Sequence, residues 1–321
     1  MSVTDEAIAI APRFAADELE APPLTLRQLT WRRFRRHKMA MFGTMMLVLL
    51  IFYSFAGALF FTEDYANLTD TSLRLQPPSR EHPFGTDTVG RDILARTIYG
   101  GQISLLIGLT AMLVEVIVGV LIGAIAGYYG GWLDALLMRF TEAVFVIPSI
   151  FLLIVMAKTF GTEIPDLSLL GRTFSGSVIV VVLIIGLTSW MYLARIVRAQ
   201  FISLKEREFI LAARATGTPA WQIIWGHILP NTMAPIIVSA TLSIAAAILS
   251  ESYISFLGMG VQPPTATWGN MLQTASSDFT KIQNAPWFWV FPGLLIVLTV
   301  LSINFVGDGL RDALDPRSRA A

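Results

Sequence analysis

Hydrophobic positions in this chain gather into long unbroken runs instead of alternating with polar ones. Residues 39–61 make 23 positions without a charge, long enough for the ~20 residues a helix needs to cross a hydrocarbon core. Further runs occupy 103–127, interrupted only by Glu115, and 136–157, with Arg139 and Glu142 near its start and Pro148 inside. The rest are 177–193, then 233–257 with Glu251 near its far end, and 287–306, again free of charge. These six runs predict an all-α membrane protein with six transmembrane helices. The stretch 199–229, between the fourth and fifth runs, is polar and punctuated. Ser203 and Glu206 have capping-box spacing, which predicts a helix over 204–216. Gly217 suits the left-handed position beyond its end. Thr218 suits the cap of a second helix, with Pro219 at its first position, reaching about 229 before Pro230 leads into the fifth span.

Composition agrees with this pattern. The chain is 54% hydrophobic and 14% charged, where soluble domains run near ~25% charged. Zero net charge gives no basic character of the kind nucleic acid attracts. The absence of cysteine removes disulfides, thiolate catalysis and cysteine metal sites. No cleaved signal peptide is expected, since the first apolar run follows a polar stretch with seven Lys/Arg. Placing the N-terminus inside puts sixteen Lys/Arg on inner segments and six on outer ones, the asymmetry that sets orientation. Both termini and 199–229 are then cytoplasmic. The expected divisions are an N-terminal segment over 1–38, a first span over 39–61, an extracytoplasmic segment over 62–101, a core over 102–307 and a cytoplasmic tail over 308–321. Residues 24–38 mix Leu26, Leu29, Trp31 and Phe34 with six Lys/Arg. That mixture predicts a helix lying along the inner surface, apolar side in lipid and cations toward anionic headgroups. The residues before it read as unstructured.

Candidate chemistry is sparse. Gly119, Gly123 and Gly127, four apart, form a small-residue stripe for close helix packing. Ala212 and Ala213 leave one side of the first loop helix bare for a partner, with Arg207, Glu208 and Arg214 as charged contacts around it. Ionisable groups at membrane depth cost ~3 kcal/mol at a helix centre. Arg139 and Glu142 have the spacing to pair on one helix face. Glu115 and Glu251 stay open between a translocation path or gate and interhelical hydrogen bonds. None of the four lysines follows a glycine, so no Walker A site exists. His37, His82 and His227 are far apart in sequence, and no metalloprotease or serine-hydrolase motif occurs. His227 is expected to belong to the packing of the loop. No catalytic or metal-binding residue is assigned.

The series Leu211, Ala212, Ala213, Gly217, Leu229, Pro230 resembles the EAA loop of ABC-importer permeases. That consensus reads Glu-Ala-Ala, three residues, Gly, nine residues, Ile, one residue, Leu-Pro. The spacing is the same throughout, but Leu211 stands where the family has Glu and His227 where it has Ile. Glu208, one turn earlier on the same face, is the candidate substitute for the missing acid. Phe84 to Asp87 with Gly90 to Asp92, Ser255 to Gly260 with Trp268-Gly269, and Asn304 to Pro316 resemble the C-type subunit of the dipeptide/oligopeptide/nickel branch. The resemblance implies a type I ABC-importer permease in a bacterial-type cytoplasmic membrane. It also implies four kinds of partner: a second homologous permease, two ATPase subunits, an extracytoplasmic substrate-binding protein and the lipid bilayer. The chain would need no cofactor of its own, with Mg-ATP held by the ATPases. Peptides are the implied solute, and nickel or another small solute is the alternative. An ion-coupled secondary transporter is the rival reading, and it predicts internal repeats that the chain lacks.

Overall fold

A capping box does open a helix, but it lies at Thr25. In a computed structural model, which describes residues 25–160, 165–169, 172–276 and 283–315, Gln28 N–H donates to Thr25 Oγ1 and Thr25 N–H donates back to Gln28 Oε1. This starts α1 (Leu26–Arg36). The stretch expected to be unstructured and the last residues of the tail lie outside the described residues. Phe34 of α1 is buried against Ala40 and Ala313. The apolar side of α1 therefore docks on protein at this position rather than on lipid, while Trp31 stays exposed. His37 Nδ1 accepts from Ala40 N–H at 3.0 Å and begins α2 (Lys38–Ala56). A short α3 (Glu63–Asn67) follows.

The remaining apolar runs become α4 (Ile93–Tyr129), the pair α5 (Gly131–Val146) and α6 (Ser149–Phe160), α7 (Gly176–Lys205), α11 (Met233–Phe256) and α13 (Trp287–Leu314). Among the described residues five helices are long and apolar enough to cross a membrane: α2, α4, α7, α11 and α13. The bent pair makes a sixth if it counts as one span. The third apolar run, with Pro148 inside it, is bent at that proline. Proline disfavours helical backbone in the residue before it. Ile147 is accordingly extended, and α5 and α6 meet at 85°. Between α6 and α7, β1 (Leu167–Leu169) pairs antiparallel with β2 (Arg172–Phe174).

Several helices outrun their apolar cores. α4 begins at Ile93, well before position 103, and α13 continues to Leu314 through the start of the expected tail. Where backbones must approach, the chain supplies small residues. A Cβ at Gly123 would lie 2.5 Å from the Ala194 carbonyl oxygen of α7, so α4 and α7 touch backbone to backbone along the glycine stripe. α13 packs between α2 and α11, and α11 also packs on α4.

The two ends of the bundle differ. At one end, Asp92 caps α4 through Ala95 N–H (2.7 Å) and pairs with His82 (2.8 Å), while Asp87 pairs with Arg91 (2.6 Å). The same end carries the loop after α11 and α12 (Trp268–Ser276). Trp268 is fully buried there, and its ring N–H donates to the Thr97 carbonyl at 2.9 Å. The other end carries α1 and the segment between α7 and α11.

Candidate functional site

α7 does not stop near 193. Leu193, Val197 and Phe201 extend its apolar face and are completely buried beside Val120 and Ala124 of α4. Helix therefore continues to Lys205, with Glu206 at its C-terminal cap. The Ser203–Glu206 capping box is not used, because continued burial of α7 outweighs a local capping signal. The first loop helix is shorter than expected. It is α8 (Glu208–Ala215), and Arg207 sits in extended backbone before it without a side-chain cap.

Gly217 terminates α8 in the left-handed region, at φ +79°. Its N–H donates to the Arg214 carbonyl (3.0 Å) and the Thr218 N–H donates to the Ala213 carbonyl (3.1 Å). This is the paired arrangement that satisfies the last carbonyls of a helix. Open space surrounds the glycine, so backbone angle alone demands it. Thr218 caps nothing. Pro219 is itself the N-cap of α9 (Ala220–Gln222), so the second helix starts one residue late. It widens into a π-helical turn over Ile223–Ile228 and returns to α-helix in α10 (Leu229–Asn231), with Pro230 in the first turn.

These short helices form a knob held by apolar packing. Ile210, Ile223 and Ile228 are at most 1% exposed and share a core with Phe201, Val197 and Ile236 of α11. Ala213 packs against that core. Of the two alanines, then, only Ala212 lies fully on the outer side, together with Arg207, Glu208 and Leu211. Arg214 lies over the Tyr128 ring of α4, 5.2 Å from its centroid, and so braces the knob on the bundle. His227 is exposed and takes no part in the packing. The knob exposes four large apolar groups: Phe209 (45% exposed), Leu211 (46%), Trp221 (63%) and Trp225 (47%). The tryptophans sat outside the consensus positions, so a motif reading passed over them. Asp134 of α5 grips Arg198 of α7 through two bonds of 2.5 and 2.7 Å just above the knob. Only tertiary structure reveals this pair, since 64 residues separate its members.

The structure separates the two membrane-depth glutamates. Glu115 lines a cavity of 650 Å³ bounded by α4, α7, α11 and the last turn of α13. Ser243 of α11 donates its hydroxyl to Glu115 Oε1 at 2.6 Å. Tyr192, Pro235, Val238 and Arg311 line the same space. Glu251 is completely buried and lies outside that cavity. It accepts from Ser255 (2.7 Å) and Ser104 (3.3 Å), and Ser104 Oγ in turn accepts the Trp268 N–H at 3.2 Å. In this conformation Glu251 is a junction holding α4, α11 and α12 together. The Arg139–Glu142 pair forms as expected, at 3.2 Å on an exposed face.

Residues 119–320 match the model for the inner membrane component of binding-protein-dependent transport systems, and 25–78 match the N-terminal transmembrane domain of oligopeptide transport permease C. The chain belongs to the binding-protein-dependent transport inner-membrane component family. Its relatives include the oligopeptide transport system permease protein OppC of Haemophilus influenzae, 40% identical over 95% of this chain and 94% of its own length. The dipeptide transport system permease protein DppC of Alkalihalophilus pseudofirmus is 41% identical over 90% of each chain. That of Bacillus subtilis is 39% identical over 95% of this chain and 90% of its own.

As a member of this family the chain is an integral, multi-pass inner-membrane component. Two of the stretches that resembled the family by sequence meet at one end of the bundle. Gly85 of the first lies against Trp287 of α13, and Gly260 and Gly269 of the second press on Ser255 and Ser252 of α11. The second stretch builds the cap around Trp268 and Glu251, and the first packs on the start of α13, where Phe84 stacks on Phe291. The third stretch, at the end of α13, brings Arg311 to the cavity.

Proposed function

We propose that this chain is the permease subunit of a peptide ABC importer, forming half of the translocation path and receiving force through the knob. One observation carries the reading: the knob and the Glu115 cavity are built on the same helices. Phe201 of α7 and Ile236 of α11 share the knob's core. Ser189 and Tyr192 of α7, with Pro235 and Ser243 of α11, line the cavity. A shift of the knob therefore moves two cavity walls without needing a separate transmission element.

In this reading both termini and the knob are cytoplasmic, as the placement of Lys/Arg supports. The outer side of the knob, with Leu211, Ala212, Trp221 and Trp225, seats in a groove on a partner ATPase, and Arg207 and Glu208 supply charged contacts at its edge. Mg-ATP on the ATPases supplies the energy, and its binding draws them together. The two permeases then turn from inward-facing to outward-facing and receive solute from the binding protein. This chain performs no hydrolysis in the cycle: it positions, encloses and releases. The names of the relatives support peptide as the solute class.

The test is reconstitution with its partners in liposomes. Uptake of a labelled peptide should require both ATP and the binding protein. Uptake that proceeds without ATP, or a chain that never copurifies with an ATPase, would refute the proposal. Orientation has its own test, because the chain lacks cysteine. Thr216→Cys should react with an impermeant maleimide in inside-out vesicles, and labelling only from the opposite face would reverse the assignment.

A further inference from the structure

The Glu115 cavity carries charged groups at two depths: Glu115 at one, and Arg311 with Asp315 at the other. Glu115 is 6% exposed, and among the described residues neither it nor Arg311 has an ion-pair partner. A carboxylate at membrane depth without a cation is costly. The Ser243 hydroxyl satisfies one of its oxygens, and Glu115 lines the cavity beside it.

The packing of α11 on α13 sets the relative depths. A Cβ at Gly307 would meet Leu242, so these residues lie at one level. Arg311 is four residues further along α13, and Ser243 is one residue further along α11, which runs the opposite way. At 1.5 Å per residue the Arg311 and Ser243 levels differ by about 7 Å. An extended chain advances roughly 3.5 Å per residue, so two residues span about the same distance. Tyr192, Pro235 and Val238 give the space between them an apolar wall. Asp315 also lines the cavity, near Arg311, and its backbone carbonyl accepts from Arg33. The negative side chain of Asp315 makes that end of the cavity mixed in sign.

We infer that this cavity is a bipolar seat for a short zwitterionic peptide, with Glu115 receiving the α-ammonium group and Arg311 the α-carboxylate. The inference rests on the peptide-importer reading and deepens it, by giving the permease its own contact with the two groups every unmodified peptide carries. Side-chain identity is left to the apolar wall, which tolerates variety. Recognition by termini and length is the consequence, with dipeptides fitting the separation better than longer chains.

The experiment is uptake of labelled dialanine by the reconstituted importer, expressed per ATP hydrolysed. Glu115→Gln keeps an oxygen for the Ser243 hydroxyl and removes only the charge. It is expected to lower that ratio about tenfold or more, in keeping with loss of a charge-assisted bond, and Arg311→Gln is expected to do the same. A purely structural Glu115 predicts an unchanged ratio in the glutamine variant, and that result overturns the inference. Should a variant fail to assemble, the wild-type complex still decides. A dipeptide with a diazirine side chain in its first residue should crosslink near Glu115 and Ser243, and one labelled in its second residue near Arg311 and Val238. Crosslinks confined to other helices overturn the inference. If wild-type complex takes up no peptide at all, the peptide-importer reading fails first; uptake with an indifferent Glu115 defeats the seat alone.

Discussion

The two ends of the bundle are held by different physics. At the cap end, buried polar groups do the fastening: Glu251, Ser104, Ser255, Asn270 and the two N–H groups of Trp268 form hydrogen bonds of fixed direction. At the knob end, isoleucines do it, through Ile210, Ile223, Ile224 and Ile228 against Phe201. Hydrogen bonds hold one geometry and are lost when it changes. Apolar contact is non-directional, so packed surfaces can slide by small amounts while staying buried. The cap end is thus suited to stay fixed and the knob end to shift as a body.

Substitutions sharpen or break this contrast. The largest effect is expected from Gly217→Pro. Proline holds φ near −65°, the residue sits at +79°, and the second half of the knob is re-aimed. Peptide uptake should vanish while membrane insertion persists; normal uptake would mean that the knob is only a linker. Trp268→Ala should destabilise the cap end by about 3–5 kcal/mol, read as a lower melting temperature of the detergent-solubilised complex. Ile210→Ala removes a completely buried side chain and should cost about 2–4 kcal/mol. Its signature should be uncoupling, with ATP hydrolysis surviving better than uptake. Equal loss of both would place Ile210 with Trp268 as a plain stability residue and erase the contrast.

Glu251→Ala comes next, leaving buried serine hydroxyls without their acceptor at about 1–3 kcal/mol. A thermal shift should appear with little change in uptake per ATP hydrolysed, the reverse of Glu115→Gln. The smallest effect is expected from Asp134→Asn, which weakens a partly exposed pair worth about 1 kcal/mol or less. Hydrogen exchange at the junction of α5 and α7 should still register it.

The sequence made the spans legible because membrane burial writes long apolar runs, and 39–61 and 233–257 lie close to α2 and α11. It also showed the Gly217 turn, where a single residue type satisfies the backbone. Local signals misled where tertiary packing competed. Ser203 and Glu206 look like a helix start, yet the burial of Phe201 carries α7 past them. Pro148 sat inside an apparently continuous run, and only backbone geometry turns it into an 85° corner. Glu115 and Glu251 are the same residue in similar surroundings of sequence. Their division into a cavity wall and a sealed junction depends on Ser243 and Trp268, both more than 100 positions from the residues they meet.

The glycine stripe of α4 has a mechanical consequence. Gly119, Gly123 and Gly127 lie against the backbone of Trp190, Ala194 and Arg198 of α7 and against the Leu193, Val197 and Phe201 side chains, with no side chain of their own at the contact. Side chains are the compliant layer of a helix interface, since they can change rotamer to absorb strain. Over the stripe, about 12 Å long, that layer is missing on the α4 side. The pair should bend and tilt as a laminated strut does, with neither helix creeping past the other. A displacement applied at Phe201 would then reach the level of Trp190 nearly undiminished. Enlarging one glycine would act less by weakening the pair than by inserting slack where a rigid joint is needed.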